Sequence, residues 1–265
     1  MIDKKLVDLI FKNSLVDIVR NHDEAINTFR TFIDKNKKCP SVLVHFDTHS
    51  DIYLNRDVEA CNCGNWINFA VSEFGIDEIF WVLPNYLINN NKYRQIYEKK
   101  QNLYEESVLL GFDEKSINLD MVNTAEFFFD SQKNEIISPA KVLHINDKCS
   151  DFGLEKIVDT TLYKKLTINI LTIDNIQILQ NKEFFLSIDS DYFCNSGFDT
   201  RQNIGNSEID SVQLYEEFNY FLTKIKEAHL NPICTSLSLS PIYFPTKFKE
   251  DIFVFYSKIK SASYD

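Results

Sequence analysis

The sequence contains little glycine, and its few glycines form no nucleotide-binding motif. Only 6 of its 265 residues are glycine, about 2%, whereas an average protein has ~7%. It has no G-x-G-x-x-G or Walker-type run, the glycine-rich loops whose backbone binds nucleotide phosphates. The sequence therefore argues against a dinucleotide-binding or P-loop protein.

Basic charge is also scarce. The 28 Lys and Arg residues are outnumbered by 39 Asp and Glu residues, so the net charge is −11 and the pI is about 5.0. A nucleic-acid-binding domain needs a basic surface to neutralise phosphates, and we expect no nucleic-acid partner. The acidic balance favours solubility and, more weakly, a cationic substrate.

Long apolar runs are missing. No stretch of 18 apolar residues occurs, and the chain opens on Met1-Ile2-Asp3-Lys4-Lys5 without the apolar core of a signal peptide. We therefore expect a cytoplasmic protein with no membrane partner. In a reducing compartment the cysteines are expected to be free thiols. Only one pair of them is close in sequence, as C-x-C, which is a poor zinc motif without a second pair; the six are Cys39, Cys61, Cys63, Cys149, Cys194 and Cys234.

Short apolar runs alternate with amphipathic stretches, which predicts the fold class. Each run is β-branched or aromatic and is bounded by polar residues, as is typical of buried parallel strands. Helical spacing is clearest over Ser211–His229. We predict an α/β protein with a central, mostly parallel sheet flanked by helices in three layers. The strand candidates are Leu15–Val19, Val42–Phe46, Ile79–Leu83, Val142–Ile145, Phe184–Ile188 and Cys234–Leu239.

The middle of the chain has a less regular pattern. Glu126–Phe129 and Glu135–Ser138 are candidates for a hairpin, and Lys92–Lys100 for an exposed helix. No linker or repeat divides the chain, so we predict one domain over residues 1–265 with a possible insertion within 90–180.

Two clusters of polar residues follow predicted strands and carry most of the chemistry. Asp47, His49 and Asp51 are spaced by two, so in extended chain their side chains would point the same way. Asp189 and Asp191 follow a later strand with the same spacing. Ligands of α/β sheets bind outside the carboxyl ends of the strands, where both clusters are expected.

The composition of these clusters favours a metal site. Four converging carboxylates repel one another unless cations neutralise them, and two divalent ions would cancel the four charges. Oxygen-rich ligation with one or two imidazoles suits Mn²⁺ better than zinc. The alternative is that Asp47 and Asp189 are ordinary helix N-caps after strands.

The ordered motifs resemble the ureohydrolase (arginase/agmatinase) superfamily. The similarity is greater to its divergent branch containing the peptide arginases, and it spans about Leu15 to Pro245, with the middle of the chain unmatched. The matching segments are Arg20-Asn21-His22-Asp23-Glu24, His45–Asp51, Asn65-Trp66-Ile67, Asp189-Ser190-Asp191-Tyr192-Phe193 and Ser240-Pro241-Ile242-Tyr243-Phe244-Pro245.

The resemblance implies an arginase-like fold with two Mn²⁺ ions per chain and a role for each ligand. Asp47 and Asp189 would bridge the ions, Asp51 would complete one metal site, and His49 with Asp191 would hold the other. Asp51 is the catalytic candidate, because it could pass a proton to the departing amine. The G-G-D-H motif that supplies a further histidine in ureohydrolases is absent, and His22 is the candidate in its place.

The other histidines are expected to be structural. His45 would pack inside its strand or support a ligand from behind, and His144 could reach the same sheet edge. His229 fits a helix end, where an imidazole suits the helix dipole.

Departures from free-arginine arginases bear on the substrate. One loop resembles the loop of those enzymes that binds the α-amine and α-carboxylate of arginine. It contains Asn65 and Trp66, our candidates for substrate binding, and it lacks their catalytic histidine. Trp66 could equally anchor its helix to the sheet. Ser238 stands where the guanidinium-gripping glutamate is expected.

These departures lead us to predict conversion of arginine within a ribosomally made precursor peptide to ornithine, with release of urea. The partner would be an arginine-containing peptide. The alternatives are a ureohydrolase-like enzyme acting on another guanidino or amide compound, and a non-catalytic binding protein that keeps the fold.

Overall fold

A computed structural model describes residues 2–89, 112, 117–138, 163–196 and 208–263. Within these ranges eight strands form one sheet, with spatial order β1-β8-β7-β2-β3-β6-β4-β5. The strands are β1 (Leu15–Val19), β2 (Val42–Phe46), β3 (Glu78–Leu83), β4 (Asn123–Asp130), β5 (Glu135–Ile137), β6 (Lys164–Thr172), β7 (Phe185–Asp189) and β8 (Cys234–Ser238).

The sheet is mostly parallel. The six strands from β1 to β6 in the spatial order pair in parallel, and only the β4–β5 hairpin joins antiparallel at the β6 edge. The carboxyl ends of β1, β2, β7 and β8 therefore meet at one edge of the sheet. The functional side chains follow three of these four strands.

Six α-helices are present in the described ranges. Their ends follow local sequence signals: Asp210 and Gln213 form a capping box at the start of the fifth helix, and Gly75 adopts φ +70° at the end of the third, a conformation that glycine adopts without strain. The helices are α1 (Lys4–Phe11), α2 (Ala25–Asn36), α3 (Trp66–Phe74), α4 (Asn85–Asn89), α5 (Ser211–Glu227) and α6 (Lys249–Ala262).

Two hydrophobic cores lie on opposite faces of the sheet. Val44 and Phe46 of β2 pack in one core with side chains of α1, α5 and α6. Leu43 of the same strand packs in the other with side chains of α2 and α3. Successive residues of a strand point to opposite faces, so β2 serves both cores. This confirms the α/β class with a central sheet flanked by helices.

Several predicted elements are confirmed. β1 and β2 have the expected bounds, the hairpin is formed by β4 and β5, and the helix indicated over Ser211–His229 is α5, which ends at Glu227. β6 was not predicted from the sequence. Val142–Ile145 with His144, and Lys92–Lys100, lie outside the described residues, and the single-domain division stays a prediction.

The described residues include no helix long and apolar enough to cross a membrane. The five cysteines within them, all but Cys149, are free thiols.

Candidate metal centre

Histidine and aspartate side chains from three strand ends meet at the carboxyl edge of the sheet. His22 lies in a 3-10 turn between β1 and α2, Asp47 follows β2, and Asp189 ends β7. All six predicted ligands come together there, and five of them are less than 10% exposed. The sixth, His49, has 18% of its side chain exposed.

Asp47 is shared by two groups of side chains. One of its oxygens, Oδ2, lies 2.9 Å from Nδ1 of His22, and the other, Oδ1, lies 3.4 Å from Nδ1 of His49. Oδ1 also accepts a hydrogen bond from the backbone N–H of His49, at 2.8 Å. Because its two oxygens face two different histidines, Asp47 has the placement that a carboxylate bridging two ions requires.

The first group surrounds His22. Besides Asp47, Oδ2 of Asp51 and Oδ2 of Asp189 each lie 3.0 Å from its Nδ1. None of these contacts has the geometry of a hydrogen bond, so this buried nitrogen has no hydrogen-bond partner. The opposite ring nitrogen, Nε2, lies 2.6 Å from Oγ of Ser187, which fixes the ring. Three carboxylate oxygens around one ring nitrogen exceed what a single N–H can satisfy. Ligand atoms of His22, His45, Asp47 and Asp51 lie close enough together to hold one cation.

The second group is formed by His49, Asp191 and the shared Asp47. Oδ2 of Asp191 lies 3.1 Å from Nδ1 of His49. Asp191 is fully buried, and its Oδ2 accepts a hydrogen bond of 3.2 Å from Asn195. The backbone N–H of Thr48 donates to its Oδ1 at 3.4 Å. This group contains the most exposed ligand, so it lies on the side from which solvent reaches the cluster.

Asp189 fits both predictions made for it, the helix N-cap and the metal ligand, because its two oxygens have different contacts. Its Oδ1 caps the 3-10 turn Ser190–Tyr192 by accepting from the N–H of Asp191, at 3.2 Å. Its Oδ2 points the other way, where it contacts His22 and accepts a short hydrogen bond from Oγ of Ser240. Oδ1 therefore caps the turn, and Oδ2 belongs to the histidine–aspartate cluster.

The expected extended conformation after β2 is wrong. The strand ends at Phe46, the chain bends at 47–49, and Asp51 adopts a left-handed backbone with φ +51°. The bends interrupt the alternation of side chains that an extended strand would have. The three polar side chains therefore converge through the bends and not through their spacing along a strand. The residue spacing therefore identified the cluster, although the local geometry differs.

Burial and mutual repulsion dominate the electrostatics of the cluster. Burial raises the pKa of Asp51 to about 7, and the Asp47 carboxylate adds to this rise. The pKa of Asp191 is raised well above its usual value by burial and by Asp47 and Asp189. Burial would also raise the pKa of Asp47, but His22 and His49 hold it well below its usual value.

The histidine at the centre responds to the same charges. Burial opposes a charge on His22, but the surrounding Asp189, Asp47 and Asp51 raise its pKa well above the ordinary value. With only the chain's own charges, burial and repulsion by neighbouring carboxylates disfavour ionisation of Asp51 and Asp191, and divalent cations would supply the missing positive charge. The carboxylates and imidazoles of the cluster form two sets that share Asp47, and they fit a site for two divalent ions.

His45 also lies in the first group. Its Nε2 is 3.1 Å from the backbone carbonyl of His49 and 3.3 Å from Oδ2 of Asp47. A carbonyl oxygen only accepts, so a hydrogen bond there requires the proton on Nε2, and the buried Nδ1 then has no partner. Burial lowers the pKa of His45 to about 3, which leaves the ring neutral. This geometry fits a residue that supports the Asp47–His49 segment from behind.

The two candidate substrate-binding residues are both buried. Asn65 lies at the start of α3, where its side chain bonds the backbone of Asn62 and Ala60. Trp66 has no exposed surface, and its indole N–H donates to Oδ2 of Asp51 at 2.7 Å. Their role in binding substrate stays a prediction, and the direct contacts seen here are with the loop and the cluster.

Further side chains support the cluster. Ser238 lies 3.1 Å from Oγ of Ser240, the residue that donates to Asp189. The indole N–H of Trp81 donates to the backbone carbonyl of Asp47 at 3.1 Å. The contact of Trp81 is made between segments that are distant in the chain, which one sequence does not reveal. His229 is exposed just after α5, with φ +52°, consistent with a structural role.

The fold and the site define an α/β protein with a buried histidine–aspartate centre suited to divalent metals. No protein-family model and no curated protein matches the chain. Among solved structures it is similar to proclavaminate amidino hydrolase from Streptomyces clavuligerus, with a TM-score of 0.42 and 13% identity. The alignment covers 94% of this chain and 64% of that enzyme, so the chain spans less than two thirds of its length.

Proposed function

We propose that this protein is a dinuclear manganese hydrolase that converts arginine residues of a peptide to ornithine and releases urea. The observation that carries the proposal is the position of Asp47, whose two oxygens face His22 in one group and His49 in the other. A single carboxylate shared by two histidine–aspartate groups is the arrangement expected for a pair of ions. The ordered motifs that resemble the ureohydrolases support the reaction type.

The ligands divide between the two positions as the contacts suggest. His22 and Asp51 would hold one ion, His49 and Asp191 would hold the other, and Asp47 and Asp189 would be shared between them, as the resemblance implies. Asp189 contacts His22 through its Oδ2. When bound, two such ions would activate water, because the pKa of water falls from about 15.7 toward roughly 7 when it binds a metal. A guanidinium carbon is a resonance-stabilised electrophile, so its hydrolysis at neutral pH needs a nucleophile of this strength.

Asp51 is the residue proposed to move the proton. Its carboxylate lies beside His22 and is 7% exposed, so a proton it accepts is not lost at once to bulk water. The urea-forming reaction needs one proton delivered to the departing ornithine amine, and a carboxylate at the cluster can collect it from the attacking water. Trp66 holds this carboxylate by a hydrogen bond of 2.7 Å.

The surroundings of the cluster favour a cationic substrate. The chain carries a net charge of −11, which assists the encounter with a cationic peptide. His49 is the most exposed ligand, and its ring lies 5.4 Å from that of Tyr243, between ring centroids. A side chain approaching the cluster would enter beside these two rings. Tyr243 can pack on a planar guanidinium, as aromatic faces do with arginine.

The loop proposed to face the amino-acid end of the substrate favours a peptide over a free amino acid. Trp66 is buried and donates a hydrogen bond to Asp51, and Asn65 is buried and bonded to the backbone of its own loop. Neither side chain carries a charge with which to bind the α-carboxylate or α-amine of free arginine. A peptide has neutral amides at those positions and can gain binding energy from flanking residues instead. A ribosomally made precursor peptide is the proposed partner.

Coexpression with candidate precursor peptides tests the proposal. Each conversion of arginine to ornithine removes one CN₂H₂ unit, so mass spectrometry should find peptides lighter by whole multiples of that mass. Fragmentation should locate each loss at an arginine, and the same peptides coexpressed with an Asp47→Asn variant should keep their mass. Urea release from a small guanidino compound without any change in arginine peptides would contradict the peptide assignment and favour the alternative ureohydrolase-like enzyme.

A further inference from the structure

Both tryptophans of the chain donate their indole N–H to an aspartate of the metal cluster. The sequence contains 2 tryptophans. Trp66 donates to the carboxylate of Asp51 at 2.7 Å, and Trp81 donates to the backbone carbonyl of Asp47 at 3.1 Å. Both side chains are fully buried. The two bonds differ in kind, since one orients a side-chain ligand and the other a backbone segment.

Trp66 makes further contacts with the first group. Its ring centroid lies 5.1 Å from that of His22 and 5.7 Å from that of His45. The indole therefore covers two imidazoles and hydrogen-bonds one carboxylate. An indole N–H is a donor only, so this bond is strongest when Asp51 is the ionised acceptor that a metal ligand must be.

The backbone at Asp51 needs such a restraint. Its φ of +51° is in the left-handed region, which is unfavourable for a residue with a Cβ atom and persists only where surrounding contacts maintain it. The first turn of α3 also contributes through Asn68, whose side chain bonds the backbone N–H and carbonyl of Tyr53, both at 2.9 Å. The beginning of α3 therefore holds the segment on both sides of Ile52.

From this arrangement we infer that Trp66 is a positioning residue, which orients the Asp51 carboxylate toward His22 and thereby sets the affinity of the first ion. This inference rests on the proposed metal site and extends it to a residue that contacts no ion. Hydrogen-bond partners of metal ligands commonly affect affinity in this way, and their loss costs about 10–100-fold. Trp66 acts here through Asp51.

The first test is manganese binding by Trp66→Phe. Phenylalanine keeps a ring between His22 and His45 but removes the donor to Asp51. We expect one of its two manganese affinities to fall by about 10–100-fold, measured by titrating metal-free protein and following the electron paramagnetic resonance signal of free Mn²⁺. Phe127→Leu is the matched control, because Phe127 is fully buried in the same core but belongs to β4. It should lose thermal stability and keep both affinities.

Fluorescence provides a second readout that does not depend on the folding of Trp66→Phe. In Trp81→Phe, Trp66 is the only tryptophan, and binding of paramagnetic Mn²⁺ beside Asp51 should quench its emission in a saturable way. If Trp66→Phe binds two ions as tightly as the wild type, or if Trp66 emission does not respond to saturating Mn²⁺, the inference is wrong while the proposed function stands. If the wild type itself binds no manganese, both are wrong.

Discussion

Replacing Asp47 by asparagine is expected to abolish tight binding of both ions. Its Oδ2 faces His22 at 2.9 Å and its Oδ1 faces His49 at 3.4 Å, so one substitution removes a negative ligand from each group. An amide has nearly the same shape but no charge to offset the cations. Since loss of a partner behind a ligand already costs about 10–100-fold, loss of the shared ligand should weaken binding by more than about 100-fold and reduce turnover to background.

Thermal unfolding measures this effect without any substrate. A ligand that binds only the folded state at 100 times its dissociation constant stabilises it by about 2.7 kcal/mol. For a chain of this size that corresponds to an increase of Tm of roughly 5–10 °C. We expect Mn²⁺ to produce such an increase in the wild type and almost none in Asp47→Asn.

Glu183→Gln is the control for charge alone. Glu183 is exposed and pairs with Lys38 on the surface, so its loss removes one carboxylate without touching the cluster. The variant should respond to Mn²⁺ as the wild type does. An Asp47→Asn protein that retains the full increase in Tm would show that the two groups do not share a ligand.

Arginine inside a peptide is expected to react faster than free arginine. The charged ends of free arginine require ionic partners, and each hydrogen bond to a charged group contributes about 1.5–3 kcal/mol. At about 1.4 kcal/mol per tenfold, one missing contact of this kind lowers kcat/KM for free arginine by roughly 10–100-fold. The loop proposed to face this end contains Asn65 and Trp66, which are uncharged and buried.

Urea release from three substrates separates the causes. Free arginine, arginine with an acetylated amine and amidated carboxyl, and an arginine-containing peptide should react in that increasing order. The step from the first to the second reports the neutral ends, and the step from the second to the third reports flanking residues. The advantage of the peptide should shrink with added salt to the extent that it comes from the chain's net charge of −11. Faster turnover of free arginine would overturn the substrate assignment.

The strands that carry the site were predictable from their local pattern. β1, β2 and β7 are short and apolar, and polar residues bound them, so the sequence located them to within one residue. β6 was missed, because Lys164–Thr172 begins with two lysines and mixes polar and apolar residues. Its neighbours β3 and β4, which decide its strand conformation through pairing, are distant in sequence.

The sequence predicted which residues form the site better than it predicted their backbone conformation. Spacing by two drew attention to Asp47, His49 and Asp51, and the structure brings them together. Nothing in the sequence indicated the left-handed φ of +51° at Asp51, because this conformation depends on contacts with Trp66 and Asn68 and not on the conformational preference of aspartate. A single sequence also gave no reason to connect Trp81 or Ser240 with the cluster, since these contacts cross strands.

Metal content after manganese loading tests the central claim most directly. The account predicts two ions per chain, because two groups of ligands share Asp47 and bury four carboxylates that need neutralising. Wild-type protein, freed of metal, saturated with Mn²⁺ and passed through a desalting column, should contain close to two manganese ions per chain by elemental analysis. A content near zero in folded protein, under conditions in which it converts its substrate, would contradict the account.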